Sequence, residues 1–451
     1  MKFTIEYTDL NISPSGGLPL VGHLLDKCSL KKRINLSRVP GNPNPAITHG
    51  DVVYSYIGLV CQGKNDFDHI ESERDDVVFG YALGIDQVPS SPTLRQRLDQ
   101  AAGKAGWEET LLQESARLIK NTHAPLTSIV LGNGENRREY LPLDVDVSPF
   151  DNSKTKKEGV SRTYKGFDGY APILAYLGLE GYWINLDFRQ GKDHCQKGTA
   201  AFLAKTLHYA RMISSTPVLV RLDSGNDSAD NIAVFDNQQV DYLIKRNPRK
   251  EKLEHWLDIA RENGIKSEPR AGKTVYIGSI YRKPSGMDKD VRIVFRVTER
   301  TVLANGQILL VPEIELESYW TSLPDKEEDI ILLYHEHGTC EQFHSEIKTD
   351  LDLERLPSGK FATNNLIMHL GLMAYNILRI LGQMTVQLPH KLVPLKKKAQ
   401  RRRIKTVIQN LITMAAILIK HARQLKLRFR RKDKWLPVFE RIHQTLLFNS
   451  P

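Results

Sequence analysis

From about residue 126 this 451-residue chain stops reading as helix and becomes a run of short apolar strands. That run limits its fold more than any other feature. Ser128–Leu131 and Tyr140–Ser148 have strand character, as do Ala171–Leu179 and Tyr182–Phe188, which are divided by a turn at Glu180-Gly181. Gly198–Ile213 then has helical spacing, and Pro217–Asp223 returns to strand. Counted from the strand that carries Asp146, the order up to Asp223 is strand, strand, strand, helix, strand. A chain with this order folds as an α/β domain around a sheet, with its crossover helix on one face.

The flanking regions read differently. Residues 15–120 are mostly helical: Asp51–Val60 suits a buried helix, and Ser91-Pro92 suits a helix start with Ser as cap and Pro in the first turn. Between about 250 and 320 the signals are β-rich, at Thr274–Tyr281, Val291–Val297 and Ile308–Glu315. A charged helix is expected from near Lys326 and a largely apolar one from about Phe361. Leu366–Val386 is long enough to cross a bilayer, but His369, Asn376 and Arg379 interrupt it, so it reads as a buried helix. The expected layout is a helical N-terminal region (1–125), the first part of an α/β core (126–249), a β-rich insertion (250–325), the end of the core (326–388) and a basic helical tail (389–451). Met1–Leu10 contains Glu6 and Asp9 and no apolar signal segment. Cys28, Cys61, Cys195 and Cys340 are far apart, which argues against a zinc ribbon or a disulfide framework and suits a reducing cytoplasm.

Charge is concentrated in one region. Lys391–Lys434 holds 16 Lys and Arg and a single acid, Asp433, leaving 47 basic and 52 acidic residues elsewhere. Its densest part is Lys396, Lys397, Lys398, Arg401, Arg402 and Arg403. A solvated helical face would carry compensating acids, so the cluster points to a polyanion, most simply nucleic acid. The apolar Ile404–Ile419 leaves an anionic membrane surface as the lesser alternative. Because these arginines have few acidic neighbours in sequence, removing them is expected to leave folding nearly unchanged.

Asp144 and Asp146 alternate with Leu143, Val145 and Val147, so both carboxylates leave one face of one strand. Asp223 ends a later strand beside a Ser-Gly turn. Carboxylates at such strand ends can bind hard divalent cations, although turn and cap residues are the commoner explanation. Further on, Tyr334, His337, Glu341 and Lys348 are spaced i, i+3, i+7 and i+14 and would form one helical stripe. Asp144, Asp227 and Glu346 compete as carboxylates. A zinc site from His337, Glu341 and His344 is a rival reading, but it has no paired-His motif and leaves both Asp strands unused.

The strand order is that at the start of a ribonuclease-H-like fold. The stripe resembles the Y-x2-R-x3-E-x6-K pattern of transposases in the insertion sequence 4 superfamily, with His337 in place of the family's Arg. Asp146-Val-Ser148 resembles the first-strand motif of that group. Val220-Arg-Leu-Asp-Ser-Gly225 looks like the second-Asp motif of the insertion sequence 1380 family, and Phe188-Arg-Gln-Gly191 resembles that family's segment after the third strand, with Lys192 in place of the usual Asn. The stretch Val88-Pro-Ser-Ser-Pro-Thr-Leu94 is similar as well, so the likeness covers most of the chain.

This resemblance implies a DDE transposase whose Asp146, Asp223 and Glu341 bind two Mg²⁺ ions, with Mn²⁺ as a substitute. Tyr334, His337, Lys348 and Arg189 would lie along the DNA. It further implies double-stranded DNA as partner (terminal inverted repeats and target), a homodimer on paired ends, no membrane, and a bacterial, nucleoid-associated cytoplasmic location. His337 cannot supply the permanent bidentate charge of the Arg it replaces. A nuclease that cuts without joining, and a non-catalytic DNA-binding remnant, are the alternative functions.

Overall fold

The computed structural model describes residues 2–422 and 424–448. Its centre is a mixed sheet of ten strands. In chain order, nine of them are β1 (Arg138–Val147), β2 (Ile173–Leu177), β3 (Tyr182–Asp187), β4 (Val218–Leu222), β5 (Asp241–Lys245), β6 (Gly264–Arg270), β7 (Lys273–Arg282), β8 (Val291–Val302) and β9 (Ile308–Thr321). They lie side by side as β6-β7-β8-β9-β5-β4-β1-β2-β3, and Ile129–Leu131 pairs with β1 off this path. β1, β4 and β5 run parallel, whereas β2 and β3 form an antiparallel meander beside β1. The alternation of strands and helix in the sequence therefore corresponds to real elements, and the 15-residue helix Thr199–Ile213 makes the crossover from β3 to β4.

The β-rich stretch extends this sheet. β9 pairs antiparallel with β5, and β6 to β9 continue outward from it. The inner ends of the long strands are buried, as at Tyr319, Trp320 and Thr321, while Ile308, Leu310 and Val311 at the far end of β9 are exposed. The helix Leu253–Asn263, which precedes β6, packs against β7, β8 and β9. Its amphipathic 3.6-residue spacing was hidden among the strand signals around it.

The N-terminal region is helical, as expected, with α1 (His49–Cys61) buried along its whole length. The helix Ser91–Ala101 is capped one residue earlier than the sequence suggests. Ser90, not Ser91, accepts a hydrogen bond from the Thr93 amide, and Pro92 occupies the first turn. α1 and α2 (Trp107–Asn121) pack against the 27-residue helix α3 (Phe361–Gln387). α3 is the buried helix expected over Leu366–Val386. Asn376, in its middle, is satisfied internally: it accepts from the Trp183 amide at 2.9 Å and donates to the Trp183 carbonyl at 2.6 Å and to Ser115 at 2.8 Å. Among the described residues, no helix is long and apolar enough to cross a membrane.

The C-terminal region is only partly helical. A short helical stretch from Ile404 to Ile412 is followed by a hairpin of Ala416–His421 and Gln424–Phe429, which pairs with Asn11–Ser13, and then by the helix Leu436–Phe448. The hairpin has a local cause. Ile417 and Ile419 alternate with Leu418 and Lys420, and Leu425, Leu427 and Phe429 alternate with Lys426 and Arg428, which is strand period rather than helix period.

Candidate active site

The register between β1 and β4 places the first two acids. Asp144 lies opposite Arg221 across the parallel pair, and Val145 lies opposite Leu222. One step further along the same ladder, Asp146 and Asp223 become neighbours at the carboxyl ends of the two strands. Burial, followed by the negative charge of Asp223, raises the Asp146 carboxyl from its ordinary 3.8 to about 6. The Val147 amide donates to Asp146 at 2.7 Å, and Asn226 Nδ2 donates to Asp223 at 2.6 Å. The turn is tight at Gly225, where a Cβ would come within 3.2 Å of an Asp223 carboxylate oxygen and 3.3 Å of Cys195 Sγ, so those side chains would have to shift slightly.

Asp144 has the opposite fate. Arg221 donates to its two oxygens at 2.6 and 2.8 Å, and His337 Nδ1 lies 3.0 Å from one of them. Burial opposes its charge, but Arg221 and then His337 outweigh burial and hold the carboxyl at about 2. The other competing carboxylates are also engaged internally. Asp227 accepts from the Asn247 amide and Trp320 Nε1, at 2.9 and 3.0 Å. Glu346 is paired with Arg379 and, at 2.6 Å, with Arg401.

The expected helical stripe is wound differently. Glu327–His335 is α-helical, Glu336–Thr339 is a 3₁₀ turn, Cys340–Ser345 is α-helical and Glu346–Asp350 is a π-turn. In a 3₁₀ turn residues i and i+3 eclipse, so Cys340 follows His337 on the inward face and Glu341 is rotated to the exposed side. His337, Cys340 and His344 are buried against the sheet. Phe343 anchors this segment by packing over Tyr176 at the Gly181 turn, where a Cβ would come within 2.2 Å of its ring. His344 Nδ1 lies 3.8 Å from Asp146, its Nε2 is buried without a partner, and burial, then Lys348, lowers its pKa to about 3.

Around the Asp146–Asp223 pair, the Tyr334 ring packs at a tilt against Tyr319 at 4.7 Å and His337 at 5.6 Å, and burial followed by Asp223 raises its hydroxyl pKa. Lys348 donates to the Pro149 carbonyl at 2.6 Å and lies 5.2 Å over Phe150; burial lowers its pKa. Tyr164 and Lys165, which carried no periodic sequence signal, also act on the pair. The Tyr164 hydroxyl is raised to about 12 by burial, then by Asp146 and Asp223, and Lys165 opposes the upward shift of Asp146.

Three of the expected DNA contacts are turned inward. Arg189 is 4% exposed and donates to Asp187, the Cys195 carbonyl and Thr199 at 2.7, 2.7 and 3.3 Å, so its guanidinium holds together the loop beside Asp223. His337 is held by Asp144, as described above. Arg402 is buried and donates to Thr385 at 3.1 Å. Arg401 and Arg403 are ion-paired with Glu346 and Asp350, whereas Lys396, Lys397 and Lys398 are exposed.

Two groupings could be considered for a metal. Asp144, His337 and Cys340 bring ligand atoms within 4.8 Å of one another. They do not fit a cation: both Asp144 oxygens are taken by a guanidinium, and burial, then Asp144, keeps the Cys340 thiol protonated. Asp146 and Asp223 do fit. They are two oxygen donors, Asp146 is still 24% exposed, and their mutual repulsion is the kind that a hard divalent cation removes.

A piggyBac transposase in a synaptic complex with hairpin DNA is similar in fold at a TM-score of 0.40 and 10% identity, over 88% of this chain and 78% of that one. No curated protein matches the sequence. The family model for the transposase DDE domain, group 1, matches residues 2–449, which spans both strand-end aspartates and every element packed around them. The chain belongs to that family of DDE transposases.

Proposed function

We propose that this transposase cuts the ends of a DNA element and joins them to target DNA by phosphoryl transfer at the Asp146–Asp223 pair. The observation that carries this reading is the convergence of two carboxylates at neighbouring strand ends, one of them raised to about 6 by burial and then by the charge of the other. The β3-β2-β1-β4-β5 order, with β1 central, supports a ribonuclease-H-like core, and the sequence motifs support an insertion sequence 1380 type of element.

Asp146 and Asp223 would hold divalent cations, which supply Lewis-acid activation of oxygen at a phosphodiester. Glu341 is the proposed third carboxylate. For it to face the pair, the 3₁₀ turn Glu336–Thr339 must rewind as α-helix, and such a turn within a helix is a common hinge. The protein's own groups then position strands and charge. Lys348 and Lys165 are near enough to interact with the charge of Asp146 and would meet phosphate oxygens there, and Tyr334 and Tyr164 flank the pair as neutral hydroxyls. The exposed lysines Lys396 to Lys398 supply affinity for the duplex, and paired ends call for two copies of the chain.

A strand-transfer assay with the inverted repeats that flank the coding region, in Mg²⁺, tests this function. Joined products are expected. Cutting without joining would leave a nuclease, and binding without cutting would leave a regulatory remnant. In the same assay Glu341→Gln should lose cleavage without losing stability, because Glu341 is exposed. Full cleavage by that variant would remove Glu341 from the site.

The raised Asp146 carboxyl also gives a pH dependence. Its folded pKa of about 6 exceeds its ordinary 3.8, so without metal its stabilising contribution is complete below about pH 4 and is lost as pH rises through 6. The loss is up to about 3 kcal/mol. Mg²⁺ competes with that proton, so its effect on Tm should be large at pH 8 and fall away below pH 6, by about tenfold in affinity per pH unit. An equal Mg²⁺ effect at pH 5 and pH 8, measured by thermal unfolding, would place the cation elsewhere.

A further inference from the structure

The sheet of Asn11–Ser13, Ala416–His421 and Gln424–Phe429 has an open edge. Asn11–Ser13 pairs with the middle strand, Gln424–Phe429 lies on its other side, and among the described residues no strand covers the outer edge of Gln424–Phe429. Just before Asn11, residues 2–10 form neither helix nor strand pairing. Phe3, Ile5 and Tyr7 are 86%, 81% and 96% exposed. They alternate with Thr4, Glu6 and Thr8, which is the pattern of a strand with one apolar face.

The open strand has the same alternation. Leu425, Leu427 and Phe429 share one face, and Lys426 and Arg428 share the other. Those three apolar residues, with Leu418, Tyr81 and Phe439, line a cavity of about 550 Å³. Cross-strand neighbours point to the same face. Pairing Ile5 with Leu427 therefore puts Phe3 and Tyr7 in line with the apolar row, and puts Thr4 and Glu6 in line with Lys426 and Arg428. The acid within the arm meets cations: Glu6 falls in line with Lys426 and Arg428, while Lys2 and Asp9 lie to either side of the apolar row.

We propose that residues 2–8 add as a strand to the Gln424–Phe429 edge of a second copy of this chain. The arm leaves from Asn11–Ser13, on the opposite side of its own sheet. Its own open edge is two strand spacings away, roughly 10 Å, across the sheet. A twofold-related copy presents the edge without that crossing, and the exchange is reciprocal, as closed dimers require. The backbone edge gives affinity and the cavity accepts the aromatic side chains. This surface is independent of the chemistry proposed for Asp146 and Asp223.

The test uses the full-length chain and reads covalent linkage and mass, not cleavage. Ile5→Cys is made in one preparation, and Leu425→Cys or Leu427→Cys in another. Mixing and mild oxidation should give a disulfide-linked dimer that neither preparation forms alone. Ile5→Asp, at an exposed position where folding is not at risk, should weaken the dimer at least about tenfold by light scattering. Absence of a mixed product at both positions overturns the proposal. So does a double variant that links only within one chain, or an Ile5→Asp protein that dimerises as the wild type does.

Discussion

Asp223→Asn should abolish DNA cleavage, by a factor of about 10³ or more, while the protein folds and binds DNA as before. The size follows from the several kcal/mol that a bound divalent cation supplies to phosphoryl transfer. The selectivity follows from the geometry, because asparagine keeps the oxygen that accepts from Asn226 Nδ2 at 2.6 Å and loses only the charge. With that charge gone the Asp146 carboxyl also relaxes downward, since Asp223 is the main raising influence on it after burial. The Mg²⁺-dependent rise in Tm should vanish together with cleavage. Asp144→Asn is the informative neighbour. It leaves Arg221, 1% exposed, with a neutral partner in the core, so its cost of about 3–5 kcal/mol should fall on stability. Wild-type-like cleavage by Asp223→Asn in Mg²⁺ would rule out the DDE site.

Local pattern made much of this legible in advance. The strand carrying Asp146 and the one that ends before Asp223 have β-branched and apolar runs of strand length, and the helix at Phe361 has a long, largely apolar run, so their existence depends little on context. What could not be read were choices made by tertiary partners. Asp144 and Asp146 look equivalent on one strand face, and only the parallel register that sets Arg221 opposite Asp144 separates an internally paired acid from the one proposed for the site. The Tyr334–Lys348 stripe assumes unbroken α-helix, but the 3₁₀ turn at Glu336–Thr339 shifts the phase so that Cys340 and His344 take the inward face. Arg189 and Arg402 look like surface cations because burial of a guanidinium depends on acceptors that only the folded chain brings to it, here the Cys195 carbonyl and the Thr385 hydroxyl. Tyr164 and Lys165 lie in a tight loop between the two-residue strand Ser161–Arg162 and Asp168–Tyr170, too short to leave a periodic signal.

The same effect divides the basic tail into two classes that one pair of variants should separate. Arg401 and Arg403 have carboxylate partners 55 and 53 residues earlier in the chain: Arg401 lies 2.6 Å from Glu346, and Arg403 lies 2.8 Å from Asp350. Glu346 and Asp350 also accept from the Ile404 and Lys405 amides, at 3.2 and 3.0 Å. This corrects the expectation that these arginines leave folding untouched. Replacing Arg401, Arg402 and Arg403 by Ala removes the side-chain part of the tail's hold on the π-turn that follows the Glu341 helix and leaves the two backbone amides. It strips two nearly fully buried carboxylates of cationic partners, although Arg379 remains on Glu346. A stability loss of about 3–5 kcal/mol is expected in chemical denaturation. Lys396, Lys397 and Lys398 are exposed, and their triple Ala variant should unfold as the wild type does. Its effect should appear in DNA binding, as a log–log salt slope shallower by up to about 2–3 units. The loss should be equal on specific and random duplexes, because phosphate contacts position a protein without reading sequence. If the lysine variant kept the full salt slope, the tail would leave the DNA-binding surface. If the arginine variant unfolded like the wild type, the two ion pairs would carry no net stability.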